Sequence, residues 1–133
     1  MSGQLPQTAP GIGVDMVDVA RFGESLQRSG KRMQERVFTA DEWAECQTRS
    51  EPAIHLAARF AAKEAVMKSL GTGWTDGVGF HEIEVTSDGK TPPLIRISGR
   101  TAELAAEAGI AGFRVSMSHT DHLAIAMVVA ELA

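Results

Sequence analysis

The sequence predicts an α+β fold: an antiparallel sheet packed on one long central helix. Three observations carry that reading. Residues 52 to 70 form an almost uninterrupted helical stretch, with Pro52 suited to its first turn and Gly71 to its C-terminal cap. On either side lie short runs of alternating or apolar character that read as strands. The loops joining those runs are short, which favours antiparallel pairing over crossovers. The expected order is β-α-α-α-β-β-α-β-β.

Each element has a local cause. In "GIGVDMVDVARF", Ile12, Val14 and Met16 alternate with Gly13, Asp15 and Val17, the period of a strand. Asp18 then precedes Val19, Phe22 and Leu26 at helical spacing, so it reads as an N-cap. "FTADEW" carries a capping box, Thr39 with Glu42, opening a helix that runs to about Arg49. "HEIEVTSDGKTPPLIRIS" reads as a hairpin around Asp88, Gly89, Pro92 and Pro93. Arg100 to Ala108 look helical, with Gly109 as the stop. "FRVSMSHTDHLAIAMVVAEL" gives two strands joined by His119 to His122.

Size and composition narrow the function. A chain of 133 residues fits one domain, expected over residues 11–133 behind a flexible polar lead-in at residues 1–10. No apolar run approaches the roughly 18 residues needed to span a bilayer, and the start lacks a signal-peptide pattern. A cytoplasmic protein with no membrane partner is expected. The single cysteine, Cys46, excludes an internal disulfide. A net charge of −4 argues against bulk nucleic-acid binding. Positive charge is nonetheless concentrated in Arg21, Arg28, Lys31, Arg32 and Arg36, which suits either a solvated face or a dock for an acidic partner.

The long helix, "RFAAKEAVMKSLGTG" in its second half, carries Arg59, Lys63, Glu64 and Lys68 among small and apolar residues. At about 100° per residue, Glu64 and Lys68 share one flank, and Arg59 and Lys63 form a second such pair. Charges on so apolar a helix need partners. An ordinary Glu-to-Lys pair one turn apart accounts for about 0.2–0.5 kcal/mol. A different use arises if Asp15, a carboxylate inside a strand, approaches Glu64. Magnesium takes one or two carboxylates and completes its shell with water and phosphate, so these residues with Lys68 would bind a pyrophosphate. The Gly71-Thr72-Gly73 turn either caps the helix or lets backbone approach a ligand.

Three segments together, "GIGVDMVDVARF", "FTADEWAEC…AARFAAKEAVMKSLGTG" and "VSMSHT", closely resemble the holo-acyl-carrier-protein synthase type of 4′-phosphopantetheinyl transferase. They stand in that family's order and spacing, although Trp43 to Ala58 match only loosely and Met117 occupies a position where a smaller or β-branched residue is common. The resemblance implies transfer of phosphopantetheine from coenzyme A to a serine of apo acyl carrier protein, leaving 3′,5′-ADP, in fatty acid or polyketide biosynthesis. It implies that Asp15 and Glu64 are magnesium ligands and that Lys68 meets the phosphates. It further implies that Arg59, Lys63, Lys68, Gly71, Thr72, Gly73, His119 and Thr120 line the coenzyme A site. The base is Glu64, or a water held by the metal and relayed through Asp15 or Glu64. Arg21, Arg28, Lys31 and Arg32 would dock the acidic carrier, and the enzyme would be a homotrimer with its active sites between subunits. Two rivals stand beside this reading: a non-catalytic protein holding an acidic partner on its basic patch, and a metal-dependent nucleotide pyrophosphohydrolase.

Overall fold

The computed structural model describes residues 11–71 and 79–133. The lead-in expected over residues 1–10, and Thr72 and Gly73 of the glycine turn, lie outside the described residues. The chain runs β1 (Ile12–Asp18), α1 (Val19–Ser29), α2 (Lys31–Val37), α3 (Ala40–Gln47) and α4 (Pro52–Leu70). After a 3₁₀ turn over Phe80–Glu82 come β2 (Ile83–Thr86), β3 (Leu94–Ile97), α5 (Gly99–Glu107), β4 (Ile110–His119) and β5 (Leu123–Leu132). The expected α+β architecture holds, with one helix more. The basic run is two helices because Gly30 adopts φ 56° and its N–H closes on the Leu26 carbonyl at 2.9 Å, after which α2 starts afresh.

The caps fall where the residue types require. Asp18 accepts from the Arg21 N–H at 3.0 Å, and Thr39 with Glu42 forms the full capping box at the start of α3. Gly71 ends α4 at φ 72°, a left-handed conformation that costs a side-chain-bearing residue more than it costs glycine.

Strand β5 is the centre of a three-stranded antiparallel sheet, β1-β5-β4. The hairpin β2-β3 forms a separate two-stranded sheet, packed beside β4 and α4. Helix α4 lies across β1 and β5. Its contact face is made of Ala57, Ala58, Ala61, Ala62 and Ala65, each no more than 5% exposed, so backbone approaches backbone. Gly13 takes this furthest. A Cβ there would collide with the Ala65 carbonyl, and the adjoining Gly11 N–H bonds to the Ser69 carbonyl at 3.2 Å. The glycines thus seat β1 directly under α4.

An aromatic chain closes the other side of the core. Phe22 of α1 packs on Phe60 of α4 at 5.2 Å and edge-on to Phe38 at 6.2 Å, while Phe60 meets Phe80 at 5.2 Å. The opposite face of the three-stranded sheet is bare. Ile12 (67%) and Met16 (62%) are more exposed than buried, and Val14, Ile125, Met127 and Val129 join them in one apolar patch.

Candidate active site

Strand alternation sends Asp15 to the helix side of β1, and the close seating of Gly13 brings it beside the second half of α4. There Lys68 Nζ reaches Asp15 Oδ1 at 3.1 Å and the Val14 carbonyl at 2.9 Å. Glu64 stands one turn earlier on the same flank. It is half-buried and accepts no hydrogen bond among the described residues. Burial pushes its carboxyl above the usual range, the Asp15 carboxylate pushes it further, and Lys68 opposes. Sequence reasoning expected Asp15 and Glu64 to converge, and the structure brings them together.

Both carboxylates line a cavity of about 390 Å³ between β1, α1 and α4, walled also by Arg21, Phe22, Ser25 and Phe60. Uncompensated negative charge at an open, oxygen-rich site fits a hard divalent cation. Among the described residues no cluster of three or more His, Cys, Asp or Glu side chains forms. A two-carboxylate donor set of this kind suits magnesium, which takes few protein ligands and fills its shell with water and phosphate oxygens.

Lys63 does not join this site, contrary to the expectation for it. Its side chain is fully buried, and its ammonium donates to Glu42 Oε1 at 2.7 Å, to the Phe80 carbonyl at 3.0 Å and to the Ile83 carbonyl. Three donors meet three acceptors, so none is left for a ligand. Glu42 is bonded through both oxygens in turn, accepting also from the Thr39 N–H at 2.9 Å and the Val85 N–H at 2.7 Å. Burial pushes the Lys63 ammonium below its usual range, against the pull of Glu42. The pair ties α3, α4 and β2 together. The capping box disclosed one role of Glu42, but nothing local to the sequence points across 21 positions to Lys63.

Arg59, His119 and Thr120 also lie away from the carboxylates. Arg59 is some 140° round α4 from Glu64 at about 100° per residue. It lines a second cavity of about 360 Å³ with Glu45, Val85, Asp88, Pro92 and Leu94. His119, on the helix side of β4, packs against His55 with ring centroids 5.6 Å apart. The Thr120 hydroxyl accepts from the His122 and Leu123 N–H groups at 3.1 and 3.0 Å, which shapes the β4-β5 turn and leaves its proton to donate. Gly71 is an exposed helix cap. Within one chain the residues expected around a single site therefore fall into two groups on different flanks of α4.

The basic residues form a ridge leading to the first cavity. Arg21, Ser25 and Arg28 follow one face of α1 at spacings of four and three, and Arg21 and Ser25 are themselves cavity walls. Lys31 and Arg32 are exposed residues at the start of α2.

Residues 11–128 match the family described as the 4′-phosphopantetheinyl transferase superfamily. The holo-[acyl-carrier-protein] synthase of Chloroflexus aurantiacus is 47% identical over 130 residues, covering 89% of this chain and 95% of that protein. Among solved structures, the holo-[acyl-carrier-protein] synthase of Neisseria meningitidis superposes with a TM-score of 0.82 at 33% identity, covering 92% of this chain and 98% of that one. The Helicobacter pylori holo-[acyl-carrier-protein] synthase in complex with coenzyme A gives a TM-score of 0.75 at 31% identity, over 90% and 99%.

Proposed function

The chain belongs to the 4′-phosphopantetheinyl transferase superfamily, and on that premise we propose that it moves phosphopantetheine from coenzyme A to a serine of an apo acyl carrier protein or carrier domain. The observation that carries this reading is the cavity in which Asp15 and Glu64 converge beside Lys68 under the Arg21 ridge. In the reaction the serine Oγ–P bond forms as the bond from phosphorus to the bridging oxygen breaks, and 3′,5′-ADP leaves. Asp15 and Glu64 would hold magnesium, which when bound supplies positive charge to the diphosphate.

Every other task falls to side chains. Lys68 is 54% exposed and pivots on Asp15, so its ammonium is available to neutralise phosphate oxygens as charge builds on the leaving group. Glu64, a half-buried carboxylate on the cavity wall, is the proton acceptor for the serine hydroxyl, directly or through one water. Phe22 and Phe60 give the cavity its apolar wall. Arg21, Arg28, Lys31 and Arg32 present positive charge to an acidic carrier.

The two half-sites favour assembly of the coenzyme site between chains. If the Arg59–His119 flank of one copy meets the Asp15–Glu64 flank of the next, the contact is head-to-tail and closes into a ring, as a homotrimer does. The bare apolar face around Ile12, Met16 and Met127 is the surface such association would cover. Among the described residues no helix is long and apolar enough to cross a membrane, and the free, buried Cys46 suits a reducing, cytoplasmic setting. The synthesis of fatty acids or polyketides on carrier proteins is the process served.

Intact-mass analysis of several apo carriers incubated with coenzyme A tests the transfer. One phosphopantetheine per carrier with magnesium, and none with chelator, is expected. Release of free phosphopantetheine without a carrier would instead mark a pyrophosphohydrolase.

A further inference from the structure

On the flank of α4 away from the carboxylates, His55 stands one turn before Arg59 and presses its ring against His119 of β4, edge to face at 5.6 Å and 79°. Arg59 is 3% exposed, yet its Nε has no hydrogen-bond partner among the described residues. Its Nη2 lies 3.0 Å from Glu45 Oε2 but too poorly aligned for a hydrogen bond, and its Nη1 donates only weakly, at 3.4 Å, to the His55 carbonyl. Arg49 shares the same carboxylate at 2.6 Å. Two guanidinium groups thus share the Glu45 carboxylate, with the His55–His119 ring pair beside them, while Asp41, Glu42 and Asp88 join Glu45 in lining the cavity that Arg59 walls. A buried guanidinium N–H left without an acceptor is costly, and such an unused donor suits an anion that enters from outside.

The charged groups facing His55 are Arg59 on its own helix, Arg49 and Glu45 from the α3 side, and His119 from β4. Burial, then Arg49, His119 and Arg59, hold His55 toward its neutral form, with Glu45 opposing. A dianion placed among them reverses that balance.

Coenzyme A offers two kinds of phosphate. The diphosphate belongs to the half-site of Asp15, Glu64 and Lys68, which leaves the phosphate monoester for the other cluster. Resting on the coenzyme A reading, we propose that His55 is a further ligand-recognition residue: with His119 and Arg59 it seats the phosphate monoester and takes up one proton from solvent as that phosphate binds. A monoester with a second pKa of about 6 is largely doubly charged near neutrality, so a histidine beside it is drawn to its cationic, donating form.

Calorimetry with coenzyme A and with 3′-dephospho-coenzyme A, both with magnesium, tests this in two buffers of different ionisation enthalpy near neutral pH. The wild-type protein should take up protons with coenzyme A and markedly fewer with the dephospho form. His55→Phe, which keeps a ring against His119, and His55→Gln, which keeps a polar group, should each lose at least about half of that uptake. Each should bind coenzyme A about 3- to 10-fold more weakly on the acid side of neutrality, with the gap closing as pH rises and dephospho-coenzyme A affinity unchanged. Undiminished uptake and affinity in both variants, with the wild-type protein binding coenzyme A, would overturn the role of His55 and leave the transferase reading standing. No coenzyme A binding by the wild-type protein would overturn both.

Discussion

Lys63 and Glu64 are adjacent on one helix and live in opposite worlds. Lys63 is fully buried with all three donors matched, and it fixes α3, α4 and β2 to one another. Glu64 sits at a cavity wall with a second carboxylate nearby and no hydrogen bond among the described residues. One residue, about 100° around α4, separates architecture from chemistry. A buried charge whose partners are complete has nothing left to offer a ligand. A charge held near its like without full compensation stores the electrostatic demand that a cation or a proton meets.

The largest expected break comes at the unsatisfied residue. Glu64→Gln should lower kcat by about 10³-fold or more while the melting temperature does not fall, and Asp15→Ala should behave likewise; steady-state kinetics beside a thermal melt checks both. At the satisfied residue the effect goes to stability instead. Lys63→Met leaves Glu42 buried without its cation and should cost about 3–5 kcal/mol in urea denaturation. The double variant Lys63→Met, Glu42→Leu should recover only part of this, because Glu42 also accepts the Thr39 and Val85 N–H groups. A Lys63→Met protein of normal stability and lost coenzyme A binding would return Lys63 to the ligand site.

Gly13→Ala joins the two regions. The new Cβ meets the Ala65 carbonyl and must push α4 from β1, costing about 1–3 kcal/mol and drawing Asp15 away from Glu64, so stability and kcat should fall together. Arg21→Ala should raise the carrier KM about 3- to 10-fold with kcat and the coenzyme A KM unchanged; the reverse pattern would remove Arg21 from the dock.

The smallest effect is on pH. A carboxyl whose folded pKa is raised contributes stability that is present at acid pH and lost as pH climbs through the folded value. Without metal, Glu64→Gln should therefore match the wild-type melting temperature below the ordinary glutamate range and exceed it above. Added magnesium with coenzyme A should erase the gap by stabilising only the wild-type protein.

Much of this was legible in the sequence because it is local. Strand alternation put Asp15 on the face opposite Ile12, Val14 and Met16, the caps at Asp18, Thr39 and Gly71 fixed helix ends, and helical phase joined Glu64 to Lys68. The family resemblance supplied the approach of Asp15 to Glu64; the structure adds that Gly13 permits it by removing every atom between β1 and the Ala65 carbonyl. What stayed hidden depends on contacts between distant segments. Gly30 gave no sign whether the basic run would stop or restart as α2. The partner of Lys63 lies on another helix, so helical spacing paired it with Arg59, which in fact turns to the second cavity. Nothing in the sequence singles out His55, because only the folded chain brings His119 of β4 to it.

Binding of manganese(II), followed by its paramagnetic resonance in the presence of coenzyme A, measures the division between Lys63 and Glu64 most directly. The wild-type protein should hold one coenzyme-dependent ion per chain, and folded Asp15→Ala and Glu64→Gln should each lose it. Full retention of the ion by both folded variants would contradict the account.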